Sequence, residues 1–183
     1  MPQSKSRKIL IYFFLFLIIG TLNNKNLNNI NFLKINEIHV KGLDEKNNFQ
    51  LKNDISFSGL NNLFFLNKMK ISEMIDKNNL VENYSVFKKY PSTLKISVNK
   101  TDFIAKLKQN NKNFILGSNG KLIETSDSKI DLPFIFGDFR VINFLELKKA
   151  LDQTNFDYYK IKKLLFFKSG RWDIETKDGL LIK

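Results

Sequence analysis

The chain has no cysteine. Disulfides and thiolate metal sites are therefore excluded, though the compartment is not, because many exported proteins of this size need no disulfide. Histidine is nearly as scarce: His39 stands alone among 183 residues. It alternates with Ile38 and Val40 and so points to the polar face of a short strand. There it has no second histidine to share a metal and no thiol to activate. Arginine is also rare, with Arg7, Arg140 and Arg171 the only ones among 30 basic residues. The planar fork favoured for phosphate and guanine recognition is thus scarce, and the formal charge of +12 comes from scattered lysines. Lysine, asparagine, isoleucine and phenylalanine are abundant together, a composition that an AT-rich genome explains without a nucleic-acid partner.

Catalytic patterns are missing too. The chain contains no HExxH, no GxSxG, no dinucleotide-binding or P-loop glycine pattern, and no His/Asp/Glu cluster with metal-ligand spacing. Asp127 and Asp131 are loop carboxylates without an obvious partner. Asn83-Tyr-Ser85 and Asn99-Lys-Thr101 match glycosylation sequons, as an Asn-rich chain does by chance. The sequence therefore predicts no catalytic residue, metal, cofactor, nucleic acid or small-molecule substrate.

What is present is apolar and patterned. With 43% hydrophobic residues and 18 phenylalanines the chain can bury a core, so general disorder is excluded. After a basic tail at 1–8 (Lys5, Arg7, Lys8), Ile9 to Leu22 is an uncharged and almost wholly apolar run. As a helix it covers roughly 21 Å, against about 30 Å of bilayer hydrocarbon, which suits a signal-peptide core. No small-x-small cleavage site follows, because Ile18, Gly20 and Leu22 are poor candidates. That favours an uncleaved anchor over residues 9–24, extended by Asn23 and Asn24, with Lys8 snorkelling. A buried core helix is the third alternative. The expected anchor residues are Ile9, Leu10, Phe13, Phe14, Leu17 and Ile18, and the basic flank keeps the N-terminus cytoplasmic.

Residues 25–34 read as a linker. A strand at Asn36–Gly42 comes next, then a helix at Phe49–Phe57 and a second helix capped by Asn67 with Ile71, Met74 and Ile75 on one face. A strand from Leu80 to Lys89 meets Leu94–Val98 at a Tyr90-Pro91 corner. There Leu94, Ile96 and Val98 alternate with Lys95, Ser97 and Asn99, and Pro91 sits at the strand's entrance. From Thr101 the pattern is mostly β. A strand at Phe103–Lys108 comes first, and strands at Asn113–Leu116 and Lys121–Glu124 flank the turn Gly117-Ser-Asn-Gly120. Leu132–Gly137 reads as an edge strand. Asn143-x-x-Glu146 resembles a capping box opening a helix with Phe144, Leu147 and Leu151 on one face. Strands at Ile161–Phe167, Trp172–Thr176 and Leu180–Ile182 follow, the last two joined by Asp178-Gly179. Trp172 is read as a packing residue.

Ile38-His-Val-Lys-Gly42 resembles the first strand of a POTRA domain. Val86-Phe-Lys-Lys-Tyr-Pro-Ser-Thr-Leu-Lys-Ile-Ser-Val98 resembles the signature of the bacterial cell-division family FtsQ, called DivIB in other lineages. Ile104-Ala105, Ser118-Asn-Gly-Lys-Leu122, Leu132-Pro-Phe-Ile-Phe-Gly137 and Gly170-Arg-Trp-Asp-Ile174 follow in the family's order. The resemblance implies an α+β architecture: an N-terminal transmembrane helix, a β-α-α-β-β POTRA domain at 35–100, and a mostly antiparallel β domain with one helix at 101–183. It implies a non-catalytic, single-pass inner-membrane scaffold of the division machinery with periplasmic domains, whose partners are FtsB/FtsL-like and FtsK-like membrane proteins. It further implies a last helix and strands beyond Lys183 that form the main partner-binding edge. Asn99-Lys-Thr-Asp-Phe103 departs from the family's Glu-Arg-x-Pro. The motif-matched surface is Lys88, Lys89, Tyr90, Pro91 and Leu94, for which a plain strand connection is the simpler account. The competing reading is a POTRA-containing component of protein translocation or outer-membrane assembly. Repeated POTRA units and amphipathic barrel strands would mark it, and neither is visible.

Overall fold

The computed structural model describes residues 4–22, 34–126 and 130–183. An N-terminal helix α1 (Ser4–Leu22) precedes a unit of β1 (Glu37–Lys41), α2 (Glu45–Phe57), α3 (Lys68–Asp76), β2 (Val81–Lys89) and β3 (Thr93–Lys100). Its three strands lie in the order β1-β3-β2, with β1 parallel and β2 antiparallel to β3. Alternation along β3 sends Leu94, Ile96 and Val98 into the core beneath the helices, where they meet Leu51 and Ile55 of α2 and Ile71 and Ile75 of α3. Both helices start on side-chain caps: Asp44 accepts from the Asn47 amide and Asn67 from the Lys70 amide. The Asp44 cap extends α2 a turn beyond its expected start.

A second sheet follows, built from β4 (Phe103–Gln109), β5 (Lys112–Gly117), β6 (Leu122–Glu124), β7 (Phe134–Phe136), β8 (Ile161–Phe166), β9 (Trp172–Thr176) and β10 (Leu181–Ile182), with α4 (Val141–Asp152) between β7 and β8. Its seven strands run in the order β10-β9-β8-β7-β4-β5-β6. Neighbours are antiparallel except that β7 is parallel to both β4 and β8. The fold is thus α+β, with a POTRA-like β-α-α-β-β unit and a mixed β unit.

Two expectations are corrected here. The strand at Leu132–Gly137 is not an edge: β7 lies mid-sheet, bonded on both sides. Pro133 precedes it, where its missing N–H costs no ladder bond while its carbonyl still accepts from Lys106 N at 2.8 Å. The capping box at Asn143 does not form either. Arg140 is the N-cap of α4, without a side-chain cap bond, and Asn143 lies inside the first turn. The expected face of α4 holds, with Phe144 fully buried and Leu147 and Leu151 packed against the core.

Glycine is required where two of the parallel pairs, β1–β3 and β7–β8, begin to diverge. A Cβ on Gly42, at φ +117°, would lie 1.7 Å from the Val98 carbonyl oxygen. On Gly137, at φ +108°, it would lie 2.3 Å from that of Phe166. Both sites combine a close backbone approach with a conformation that side chains disfavour.

Candidate interaction surfaces

The N-terminal helix presents its apolar residues outward. Ile9, Leu10, Phe13, Phe14, Leu17 and Ile18 are all exposed. The transmembrane expectation is corrected in one respect: no helix among the described residues is long and apolar enough to cross a membrane. Lys5, Arg7 and Lys8 fall within α1, so its apolar part is confined to Ile9–Leu22. Asn23, Asn24 and most of the expected linker lie outside the described residues.

At the β2–β3 corner the peptide between Tyr90 and Pro91 is cis. Lys89, Tyr90 and Pro91 are exposed, and Lys88 is half-buried with its ammonium on the Phe64 carbonyl at 3.0 Å. Leu94 does not belong to this surface. It pairs with Lys88 across the ladder and its side chain is fully buried, as the alternation of β3 dictates. The corner has a structural duty as well, because the Ser92 carbonyl accepts from Asn36 N and Glu37 N and so anchors the entry to β1.

The sheet face turned away from α2 and α3 carries Lys41, Lys89 and Lys95, but also Glu37, His39 and the exposed ring of Phe87. His39 sits 3.3 Å from the Glu37 carboxylate at the surface. With three lysines against one glutamate, this face repeats the lysine-rich composition of the whole chain. Phe49, Phe57, Phe64 and Phe65 are also exposed elsewhere on the unit.

No group of three or more metal-ligating side chains occurs among the described residues. Asp131 is paired after all, with Lys177 Nζ at 2.6 Å, and the hydrogen bond from that lysine lowers its pKa. Asp127 lies outside the described residues. The sequon residues Asn83 and Asn99 bond to each other across β2 and β3 at 2.7 Å. Tyr158 donates to the Ile104 carbonyl at 2.6 Å, and burial raises its phenol pKa. Trp172 packs against Phe166, Phe139 and Phe144, with centroid distances of 4.7, 5.8 and 6.2 Å.

One ionic pair escaped the sequence reading. Asp173, beside Trp172 on β9, is 4% exposed, and Arg171 Nε stands 2.9 Å from its Oδ1. Oδ1 has the charge beside it but no hydrogen bond of good geometry, whereas Oδ2 accepts from Arg171 Nη2 at 3.3 Å. The Arg-Trp-Asp run held the signal, since a two-residue offset on a strand places both side chains on one face.

The described sheets have open edges at β1 and β2 in one unit and at β6 and β10 in the other. At β10 the flanking apolar side chains Leu180, Leu181 and Ile182 are exposed. An open edge offers unpaired N–H and C=O groups to an added strand.

Residues 33–100 match the family model described as "POTRA domain, FtsQ-type". Similar curated proteins are the cell division protein DivIB of Clostridium botulinum strain Hall and that of strain Loch Maree. Each is 30% identical over 123 residues, 67% of this chain and 46% of the relative. The aligned stretch thus spans less than half the length of those relatives. Among solved structures, the major extracytoplasmic domain of the division protein DivIB from Geobacillus stearothermophilus aligns at 17% identity with a TM-score of 0.37. The alignment covers 46% of this chain and 77% of that one, a likeness too loose to argue from.

Proposed function

We propose that this chain, a relative of DivIB that carries an FtsQ-type POTRA domain, is a non-catalytic scaffold of the bacterial division machinery. The observation that carries the reading is the match of residues 33–100 to that POTRA type, followed without a break by a mixed sheet with an open edge. The scaffold is held at the inner membrane by its N-terminal segment. The exposed apolar surface of α1 favours lipid over water, and Lys5, Arg7 and Lys8 keep the N-terminus cytoplasmic. The two folded units then stand in the periplasm.

Partner binding in this reading is strand addition at an open edge of a sheet. Main-chain bonds supply affinity, and side-chain pockets along the edge supply selectivity. The partners are small membrane proteins of the division complex, of the FtsB/FtsL kind, with an FtsK-like protein recruited through the POTRA unit.

The test is site-specific photocrosslinking in dividing cells, with a photoreactive residue at Leu181 of the full chain. Crosslinks to small single-span division proteins are expected, together with retention in the membrane after alkaline extraction. Crosslinks to outer-membrane barrel components would instead favour the translocation reading. A chain released by alkaline extraction would overturn the membrane assignment.

A further inference from the structure

The two hydrophobic cores stay separate. One gathers residues from Ile38 to Val98 and the other from Ile104 to Ile174. The units are joined covalently through Thr101 and Asp102, between β3 and β4. A two-residue connection leaves several soft dihedrals, so it does not by itself fix one sheet against the other. Hydrogen bonds between the units converge on one turn.

The turn Gly117–Lys121 follows β5 and rests on the end of α3 and the start of β2. Asn119 gives both amide hydrogens to the POTRA-like unit, one to the Asn79 carbonyl at 3.0 Å and one to the Val81 carbonyl at 2.8 Å. Its own Oδ1 accepts from Lys121 N at 3.0 Å, so the side chain is fully used. Asn79 answers in the opposite direction, donating to the Leu122 carbonyl at 2.8 Å. Lys121 Nζ donates to the carbonyl of Asp76, the last residue of α3, and to that of Asn78 just beyond it, where the helix dipole favours a cation. On the other side of the turn, the Glu82 carboxylate of β2 accepts from Thr101 Oγ1 at 2.9 Å and from Ser118 Oγ at 2.8 Å. The Thr101 amide donates to the Leu80 carbonyl at 2.9 Å, and Thr101 itself is 3% exposed. Gly117 makes the close approach possible, since a Cβ there would lie 2.6 Å from Asn119 Oδ1 and 2.7 Å from Thr101 Oγ1.

We infer that the Gly117–Lys121 turn is a polar latch that sets the angle between the POTRA-like sheet and the β sheet, with Asn79, Glu82, Asn119 and Lys121 as its positioning residues. The latch is specific because nearly every donor and acceptor in it has one partner in the other unit. It is also releasable, because water can replace each bond once the turn lifts. The inference is independent of the division reading, since it concerns a distance within the chain and no partner.

The absence of cysteine makes the test clean. Spin labels are placed on the full chain in nanodiscs at Ser56→Cys of α2 and Ser169→Cys of the β8–β9 turn, both exposed positions in different units. Double electron–electron resonance should give one narrow distance distribution. In the N119A/K121A variant the distribution should at least double in width, while a within-unit pair at Ser56→Cys and Ser85→Cys stays narrow. Should that variant fail to fold, N79A carries the test: it removes one of the two reciprocal asparagine bonds and should widen the distribution by a smaller but resolvable amount. A broad distribution in the parent would overturn the inference, and so would an unchanged width in the folded variants.

Discussion

The POTRA-like unit seats its two helices on its sheet with leucine, isoleucine and valine, whereas the β unit seats α4 through Phe144 and the rings around it. Geometry accounts for the difference. A helix is about 10 Å across, so two of them cover three strands spaced about 4.8 Å apart, and the gap left between layers suits aliphatic side chains. The β unit has seven strands and α4 as its covering helix. That sheet is about 30 Å wide, so Phe139, Phe156, Tyr158 and Trp172 must extend the cover beyond the helix. Phenylalanine consequently has opposite fates. Phe144 is fully buried, while Phe49, Phe57, Phe64, Phe65 and Phe87 of the other unit are exposed, as Phe136 and Phe167 are within the β unit itself. An abundance of one apolar residue therefore does not locate the core.

The sharpest way to break this contrast is Phe144→Ala. Removing a fully buried ring should cost about 3–5 kcal/mol and lower protection across the β unit, read by amide hydrogen exchange. Leu94→Ala is the counterpart in the aliphatic core. It should cost about 2–4 kcal/mol and appear as lost protection in β1–β3, with the latch variants deciding how far the loss spreads. Arg171→Ala ranks next. It strands the buried Asp173 carboxylate, but the arginine is itself over half exposed, so about 1–3 kcal/mol is expected, and the double variant with Asp173→Asn should recover part of it. Equal loss in the single and double variants would mean that the pair contributes nothing.

Acid should separate the units more gently. Hydrogen bonds from Lys177, from Lys162 and Lys163, and from Thr176 lower the pKa values of Asp131, Glu175 and Asp178 in the β unit, and the Asn47 side chain lowers that of Asp44 in the POTRA-like unit. A carboxylate whose folded pKa is depressed adds stability above its unfolded pKa and loses it as pH falls through the folded value. The urea midpoint should hold near neutrality and drop below about pH 4, and D178N should flatten part of that slope. The smallest effect is expected at Phe57→Ala, within about 0.5 kcal/mol, because that ring is 88% exposed. A large loss there would show that the exposed phenylalanines are covered after all.

Much of this fold is legible in the sequence where period and cap coincide. The alternation in β3, the Asn67 cap, the Gly117–Gly120 turn and the order of the elements all follow from local chemistry. The position of β7 does not, because the run Phe134-Ile-Phe136 records neither strand direction nor which neighbours flank it. The β4–β5 turn at Asn110-Asn111, where both residues take positive φ, carries a turn signal that the Asn-rich background hides. Leu94 is legible too: the same alternation that makes β3 a strand turns that side chain inward, away from the corner surface. The latch was invisible because its bonds join polar residues 17 to 45 positions apart, with no spacing rule between them.

That latch has a mechanical consequence. If the chain is tethered at α1 and pulled at β10, the load passes between the sheets through the Thr101–Asp102 connection, with the turn at Asn119 and Lys121 bridging the same gap in parallel. Hydrogen bonds yield over a fraction of an ångström, while each apolar core must slide many contacts at once. The turn would therefore part before either hydrophobic core opens, leaving the two sheets to swing about the two-residue connection without unfolding.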